Sequence, residues 1–499
     1  MTSLASDDAD ESHISTTDGM TEYDNPLVAR YASRQMVELW GPQRKHATWR
    51  RLWLALAEAE AELGLQAEDG SARIASGQLA ELREHLDDID FARASVHEKR
   101  LRHDVMAHIH TLGEVAPLSR DIVHLGATSC YVTDNADLIL MREGLSLVRD
   151  RLVGVIDALA TFAERWKDVP TLGYTHYQPA QLTTVGKRAA LWCYDFVLDL
   201  EEIERRIVGL KFRGAKGTTG TQASFLALFH GDHDAVRRLD ALVGSKMGFK
   251  AAYSVTGQTY TRKVDTQVLT ALAGIAESAH KCATDLRLLA HEQEIDEPFE
   301  AEQVGSSAMA YKRNPMRCER VCSLSRFVMG LPAMAAQTTA TQWLERTLDD
   351  SAARRLYIPQ AYLGTDAVLR LMLNVASGLV VNEAVVARHA ADALPYMATE
   401  NLLMAAVAKG GNRQELHERI RRHSHAATAQ IKAGAATNPL VALLRDDPAF
   451  AGVDLASELD PQRYVGRAPE QVTEFLTEVV APIRARYPNR LGQTAGVTV

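Results

Sequence analysis

The chain of 499 residues is long enough for about three domains, taking roughly 150 residues per domain as a prior. Its hydrophobic share of 46% and charged share of 24% are ordinary for a globular protein with a buried core. The formal net charge of −9 disfavours general affinity for nucleic acid or for an acidic membrane surface. An anionic ligand would therefore need a locally basic pocket.

Residues 1–22 are rich in Ser, Thr and Asp and lack the apolar segment of a secretory signal, so they predict a disordered tail. No apolar run approaches the roughly 20 residues that span a bilayer. The five cysteines are an odd number, and the Cys318/Cys322 spacing is not a CxxC, which is typical of buried thiols in a reducing compartment. We therefore expect a cytoplasmic protein that binds neither nucleic acid nor membrane.

Residues 23–127 predict an N-terminal helical domain, which carries the histidine-rich segment RLRHDVMAHIH at 100–110. His103, His108 and His110 are spaced by five and two residues, which does not place three imidazoles on one helix face, so this segment disfavours a metal site. Arg102, His103 and Asp104 form a polar cluster able to hold a ligand. The alternative is a solvated helix face.

Residues 128–381 predict a central bundle of long helices, because three apolar seams recur every three or four residues. The region 382–499 predicts a smaller C-terminal helical domain, and strand patterning is nearly absent, so the fold class is all-α. The seam residues are Leu138, Met141, Leu145, Val148, Leu152, Val155, Leu159, Phe162 and Trp166; Phe196, Leu200, Ile203, Ile207 and Leu210; and Val268, Leu272, Ile275, Ala279, Cys282, Leu286 and Leu289.

The segment GYTHYQPAQLTT (173–184) places His176 between aromatic residues and three positions before Pro179. This context predicts an irregular turn rather than a helix face. A histidine there can titrate near neutral pH and act as a general acid. The alternative is a packed, hydrogen-bonded histidine. The later segment KGTTGTQ (216–222) lacks the order of a phosphate-binding loop, so a tight inter-helix turn is favoured.

The segment GSSAMAYKRNP (305–315) combines a flexible Gly-Ser-Ser start with Lys312 and Arg313. A serine hydroxyl becomes a base only if positive charge stabilises the alkoxide and a closing loop excludes water. The alternative is a surface loop whose serines cap a helix.

The segment ERTLDDSAARR (345–355) predicts the start of a helix, with Asp349 or Asp350 as N-cap. Ser351 and Arg355 then share a face, and Arg346 reaches in from the preceding turn. Two guanidinium groups, a hydroxyl and a helix N-terminus suit a phosphate monoester. The alternative is that the two aspartates pair with the arginines.

The order of these loops carries more information than any one of them. TS within HLGATSCYVTDN, TH within GYTHYQPAQ, and GSSAMAYKRNP resemble the three signature regions of the fumarase/aspartase superfamily. Within it, LVARYAS, KRLRHDVMAH, YKRNPMR and ERTLDDSA resemble the adenylosuccinate lyases, most closely their animal-type branch. The resemblance runs from about residue 23 into the C-terminal domain. It implies three helical domains, with a central long-helix bundle that forms a tetrameric 20-helix core and active sites shared between subunits.

The same resemblance implies β-elimination of fumarate from adenylosuccinate, giving AMP, and from the succinylated imidazole carboxamide ribotide (SAICAR), without metal or other cofactor. Ser306 is then the base, His176 the general acid that Glu319 orients, and Lys312 and His103 complete the catalytic set. Lys312 also holds the succinyl carboxylates, with Asn314, Thr128, Ser129 and Gln258. The implied phosphate-binding residues are Arg30, Tyr31, Arg346, Ser351 and Arg355, and the remaining substrate-binding residues are Arg102, Asp104, Thr175 and Arg320.

One departure from the family pattern is Ala310, which stands where the family usually has proline, and we expect it to loosen the mobile loop. The rival functions are argininosuccinate lyase, fumarase and aspartase, whose substrates lack a phosphate. Arg346, Ser351 and Arg355 argue against them. A non-catalytic scaffold would show decay at the chemical positions, yet Ser306, His176 and Lys312 are all present.

Overall fold

The N-terminal part of the chain is helical, as the sequence predicts. The computed structural model describes residues 23–455 and 457–496, and the predicted tail of residues 1–22 lies outside them. After a single π-helical turn at Leu27–Tyr31, the helices are α1 (Arg34–Leu39), α2 (Pro42–Glu62), α3 (Ser76–Glu84), α4 (Phe91–Leu101) and α5 (Asp104–Val115). Helix α2 buries Trp49 and Trp53 and packs against the central bundle that follows.

Five long helices form the central bundle, and all three predicted apolar seams lie on them. Their apolar residues are buried because each helix presents a stripe to several neighbours at once. The five are α6 (Ser129–Arg165, 37 residues), α7 (Val185–Gly209), α10 (Lys263–His291), α11 (Met316–Ala340) and α12 (Asp350–Gly378); the short α8 (Ala223–Leu228) and α9 (His233–Lys246) lie between α7 and α10.

The bundle has two ends that differ in the loops they carry. Helices α6, α10 and α12 begin at one end, which we call the first end, where Arg262 pairs with both Asp134 and Asp350. Helices α7 and α11 run in the opposite direction. The second end therefore carries the loop before α11 and the end of α12, where Arg317 donates to Asn374.

A β-hairpin joins α6 to α7 at the second end. Its strands are β1 (Pro170–Thr175) and β2 (Gln178–Thr184), which pair antiparallel with Thr175 opposite Gln178. The two turn residues, His176 and Tyr177, both have positive φ, of 54° and 56°, as a type I′ turn requires. The sequence predicts a turn at His176, but it does not predict the two strands. A second small sheet pairs β3 (Ile295–Asp296) with β4 (Val380–Val381).

The C-terminal region contributes to three cores, and one of them joins Ala390, Leu394, Val465 and Ala468 to Leu172 and Leu182 of the hairpin. Residues between Ala398 and Leu455 form a core of their own, whereas Val472, Val480 and Ile483 pack into the core of the bundle. The helices are α13 (Glu383–Met397), α14 (Thr399–Ala408), α15 (Arg413–Lys432), α16 (Leu440–Arg445), α17 (Ala468–Phe475) and α18 (Ala481–Arg486).

All five cysteines are buried and none forms a disulfide. Burial raises the pKa of the Cys130 thiol to about 11 and raises those of Cys193, Cys282 and Cys318 further. Across residues 23–455 and 457–496, no helix has both the length and the apolar character needed to cross a membrane. The prediction of an all-α fold is confirmed, with the two small sheets as additions.

Candidate active site

His103 and Ser129, predicted from separate segments, meet at the first end of the bundle. His103 is the N-cap of α5, and its Nδ1 accepts a hydrogen bond from the backbone N–H of Met106 at 3.2 Å. An Nδ1 that accepts leaves the proton of the neutral ring on Nε2, which lies 3.2 Å from the Ser129 hydroxyl. The first turn of α6 and the cap of α5 thus form one polar surface.

Asp104 connects this surface to α12. Its carboxylate pairs with Arg355 at 3.0 Å, a contact between residues 251 positions apart, and lies 3.8 Å from His103. Arg355 is exposed, so its remaining donors are accessible to a ligand. Ser351 lies in the first turn of α12, four residues before Arg355, as predicted. Arg102 ends α4 in the left-handed conformation, with φ of 56°.

Gln258 brings a third segment to the first end. Its side-chain carbonyl accepts a weak hydrogen bond from Cys130 at 3.7 Å, and its backbone N–H donates to the carbonyl of Glu345 at 3.0 Å. The segment before α12 is therefore placed beside Thr128 and Ser129. Thr128 occupies the N-cap position of α6, but its side chain makes no capping hydrogen bond.

Arg346 forms an ion pair with Asp350 at 2.8 Å, so the alternative of local pairing holds for this arginine. It does not hold for Arg355, whose partner is Asp104. Asp349 occupies the N-cap position of α12 without a capping hydrogen bond, and the neighbouring Asp350 is the acidic residue that is buried.

The loop 305–315 lies at the second end, directly before α11. The Ser306 hydroxyl accepts from the backbone N–H of Met309 at 3.1 Å, and the Asn314 amide donates to the carbonyl of Gly305 at 2.9 Å. Lys312 is exposed, as is most of the loop. The serine thus makes a local turn contact and does not cap a helix as its structural alternative predicts, and its own O–H remains available to donate.

His176 projects from the hairpin turn at the same end and is exposed, as is Thr175. Within the described part of the chain, the His176 side chain makes no hydrogen bond, ion pair or ring contact. Its neighbour Tyr177 fixes the turn by donating to Glu292 at 3.0 Å. Glu319 lies in the first turn of α11, and no contact joins it to His176 across the described residues.

Arg30, Tyr31 and Arg320 gather beside α12. The guanidinium carbons of Arg30 and Arg320 lie 5.8 and 5.6 Å from the centre of the Tyr31 ring, close enough for cation–π contacts. Arg370 of α12 donates to the backbone carbonyl of Tyr31 at 3.0 Å. This group is therefore fixed to α12 far from its first turn.

One chain does not bring all of the predicted residues together. Ser351 and Arg370 are about 19 residues apart on α12, which at a rise of about 1.5 Å per residue corresponds to roughly 28 Å. The predicted phosphate-binding residues are thus divided between Arg346, Ser351 and Arg355 at one position and Arg30 and Tyr31 at another. The serine and histidine predicted to catalyse lie with the loops of the second end.

A cavity of about 850 Å³ lies between the hairpin and the C-terminal helices, where Tyr174, Tyr177, His389 and Tyr396 are among its lining residues. None of the predicted catalytic or substrate-binding side chains lines it. The cavity is therefore not the predicted active site.

His124 is a candidate that the sequence analysis did not single out. Its Nδ1 accepts from the Trp53 indole N–H at 2.9 Å, and its φ of 69° is rare for a residue other than glycine. Burial, with a smaller contribution from nearby His103, lowers the pKa of His124 to about 4, so the ring is neutral at pH 7. Its position four residues before Thr128, as the first residue of the signature segment HLGATSCYVTDN, was the available signal.

No group of three or more His, Cys, Asp or Glu side chains suited to a metal ion occurs among residues 23–455 and 457–496. The expectation of a reaction without metal stays a prediction.

Comparisons with known proteins identify the family of this chain. A family model described as "Lyase" matches residues 29–330, and one described as "Adenylosuccinate lyase C-terminus" matches residues 395–475. Adenylosuccinate lyase of Saccharomyces cerevisiae is 52% identical over 468 residues, covering 92% of this chain and 96% of that protein. The chain belongs to the adenylosuccinate lyase family.

Other adenylosuccinate lyases agree with this assignment. That of Schizosaccharomyces pombe is 50% identical, covering 94% of this chain and 97% of that protein. That of the animal Schistosoma mansoni is 46% identical, covering 97% of this chain and 100% of that protein. The family predicted from the signature loops is confirmed.

Solved structures show the fold. Fumarate lyase from Mesorhizobium sp. BNC1 superposes with a TM-score of 0.75 at 23% identity, covering 92% of this chain and 99% of that one. The 3-carboxy-cis,cis-muconate lactonizing enzyme of Pseudomonas putida superposes with a TM-score of 0.77 at 21% identity, with the same coverage. The long-helix architecture is thus shared with both of these solved structures.

Proposed function

We propose that the chain eliminates fumarate from adenylosuccinate, giving AMP, and from SAICAR, giving its aminoimidazole carboxamide product. The observation that carries this proposal is identity of 46–52% to three adenylosuccinate lyases over nearly the whole chain. The first end supports it independently, because Ser351 and Arg355 lie in the first turns of α12 and Arg346 lies just before it, beside His103 and Ser129, which suits a phosphorylated ligand.

The chemistry assigns the proton transfers to residues of the second end. Removing the proton next to a carboxylate builds a dianion, so cations and donors must lie where that charge develops. Ser306 takes this proton, and Lys312 stabilises both the serine alkoxide and the dianion. His176 protonates the departing nitrogen, with Glu319 orienting its ring.

The substrate-binding residues then hold the rest of the molecule. Thr128, Ser129, Gln258 and Asn314 bind the succinyl carboxylates, and Thr175 lies beside the general acid. His103, with Arg102 and Asp104, positions the substrate near that acid. The phosphate lies between Arg346, Ser351 and Arg355 of one subunit and Arg30 and Tyr31 of another, with Arg320 adjacent.

Division of these residues between two ends of one bundle supports a homotetramer with shared active sites. Exposed apolar side chains on α7 and α11 supply the surface that such an assembly would bury: Leu191, Tyr194, Leu198, Phe327 and Met334. Light scattering on the active enzyme tests this directly, and an active monomer would contradict it.

The remaining expectations are proposed on the same basis. The enzyme is cytoplasmic, binds neither nucleic acid nor membrane, and needs no metal or other cofactor. Its domains are divided at about residues 127 and 381, with the N-terminal tail ending near residue 22.

The deciding experiment is an assay of the purified chain with adenylosuccinate and with SAICAR, following absorbance at purine wavelengths. We expect a change with both substrates. No change with either, together with activity on argininosuccinate or malate, would assign the chain to one of the rival reactions.

A further inference from the structure

Arg346 is held from behind by a buried carboxylate. Asp350 is fully buried, and each of its oxygens has a different arginine as partner. Oδ1 accepts from Nη1 of Arg346 at 2.8 Å, and Oδ2 accepts from Nε of Arg262 at 2.7 Å. Arg346 itself is about one-fifth exposed, so it joins the buried cluster to the open first end.

Arg262 is anchored in turn by Asp134 of α6. Its two terminal nitrogens both donate to that carboxylate at 3.1 Å, in the bidentate geometry that fixes a guanidinium plane. Both side chains are only 2% exposed. Asp134 also accepts from the backbone N–H of Tyr260, which ties the cluster to the segment after Gln258.

The balance of charge in this chain of contacts matters for an anionic ligand. Asp350 alone, next to Arg346, would repel a phosphate group. Arg262 offsets one of the two negative charges of the carboxylates that it contacts, Asp350 and Asp134, which reduces this repulsion while Asp350 orients Arg346. Within the described residues Arg346 makes this one side-chain ion pair, through Nη1, and its other guanidinium donors remain available to a ligand.

We propose that Asp350 is a positioning residue that aims Arg346 at the phosphate of the nucleotide, with Arg262 and Asp134 fixing Asp350. The inference rests on the proposed function, and specifically on Arg346 as a phosphate ligand. It assigns a role in phosphate recognition to three buried residues, Asp350, Arg262 and Asp134, for which the family resemblance implies no role.

The test compares inhibition by AMP and by adenosine, which differ only in the phosphate. Asp350→Asn keeps the shape but replaces one acceptor oxygen with an amide group facing an arginine. We expect the inhibition constant for AMP to rise about 10-fold and that for adenosine to stay within about twofold. A general structural defect would weaken both ligands alike.

A double-mutant cycle shows whether Asp350 acts through Arg346. We expect Arg346→Gln to weaken inhibition by AMP more than inhibition by adenosine. Adding Asp350→Asn to Arg346→Gln should change the two inhibition constants little further. Additive effects of the two substitutions would overturn the positioning role. If Arg346→Gln leaves the AMP-to-adenosine ratio unchanged, the assigned phosphate site fails, and an inactive wild-type enzyme would contradict the proposed function.

Asp265→Asn is the matched control. Asp265 is equally buried in the same region, but it holds Arg354 and Tyr260 rather than Arg346. We expect it to lower the melting temperature and leave the AMP-to-adenosine ratio unchanged. If Asp350→Asn fails to fold, Arg262→Lys replaces it, because lysine keeps the positive charge but loses the bidentate guanidinium geometry. The ratio of the inhibition constants for AMP and adenosine should then rise about threefold. An unchanged ratio in Arg262→Lys would overturn the inference.

Discussion

The serine predicted to act as base is not activated in this conformation. Its hydroxyl accepts from the backbone of its own loop, and Lys312 extends into solvent, where its charge does little to stabilise an alkoxide. An exposed loop of this kind must close over the substrate before the serine can remove a proton. The proposed role of Ser306 as base therefore requires a conformational step that closes this loop.

Ser306→Ala should lower kcat by about 100- to 10,000-fold, the range typical of losing a general base. Substrate binding, measured by equilibrium titration, should change little because the carboxylate and phosphate contacts remain. Ser307→Ala is the matched control, since Ser307 is adjacent and exposed. Equal loss in the two variants would remove Ser306 from its role.

Asp199 of α7 carries a pH dependence of stability. Burial against α10 raises the pKa of its carboxyl to about 7, and its Oδ2 has no hydrogen-bond partner among the described residues. The folded protein therefore retains a proton that the unfolded chain releases above about pH 4. Stability supplied by this group is present at low pH and is lost as the pH rises from about 4 to about 7.

Asp199→Asn, which resembles the protonated carboxyl in shape, should remove that loss. The gain in the free energy of unfolding should be near zero at pH 4 and grow towards pH 7. Since one pKa unit corresponds to about 1.4 kcal/mol, the gain reaches at most about 4 kcal/mol at pH 7. Melting temperatures at several pH values measure it. Glu201→Gln, an exposed change on the same helix, is the control, and a pH-independent difference for Asp199→Asn would contradict the assignment.

At the scale of elements, long helices could be predicted and short strands could not. A seam such as Val268 to Leu289 repeats over many turns, so its periodicity is unmistakable. The hairpin has two short strands, and its turn contains His176 and Tyr177 instead of the Asn-Gly or Asp-Gly that marks a type I′ turn. Tertiary contacts such as Tyr177 with Glu292 hold the unfavourable turn, and no local pattern reports them.

The loops that present Gln258 depend on a close backbone approach at Gly220. Its φ is 81°, and a Cβ there would lie 1.9 Å from the carbonyl oxygen of Thr256. Gly220→Ala should therefore displace the Thr256–Gln258 segment, lower the melting temperature and raise KM. Gly231→Ala is the control, because Gly231 has a similar φ of 88° with no atom near its Cβ position. It should show only the cost of the backbone conformation, about 1–2 kcal/mol. Equal effects would mean that the close approach is unimportant.

At the scale of the whole molecule, the sequence predicted which residues matter better than where they lie. The signature loops identified Asp104 and Arg355 separately, but their contact spans 251 positions, and no pattern in one sequence encodes such a pairing. The same holds for Arg320 against Tyr31. Local motifs predict chemistry, whereas the distribution of that chemistry over two ends of a bundle follows only from the packed helices.

Two variants with substitutions at opposite ends of the bundle should regain activity when their subunits are mixed. Ser306→Ala and Arg346→Gln lie at different ends of the bundle, so a mixed assembly contains some sites with neither defect. Mixing the two variants under conditions that exchange subunits should give a higher activity than the sum of the activities of the two variants measured separately. Two variants of one end, Ser306→Ala and Lys312→Ala, lie in one loop and should recover none. No recovery in the first mixture would contradict a shared site.

The five buried cysteines should make the thiols of the folded enzyme unreactive towards alkylating reagents. Alkylating reagents attack the thiolate, and burial both shields the sulfur atoms and raises the pKa of four of them, Cys130, Cys193, Cys282 and Cys318. Cys130 borders the first end, whereas the other three lie within the helices of the bundle. The extent of modification by iodoacetamide at neutral pH would therefore measure the fraction of molecules in which local unfolding has exposed a cysteine. Mass spectrometry of the modified sites would show which helix separates first.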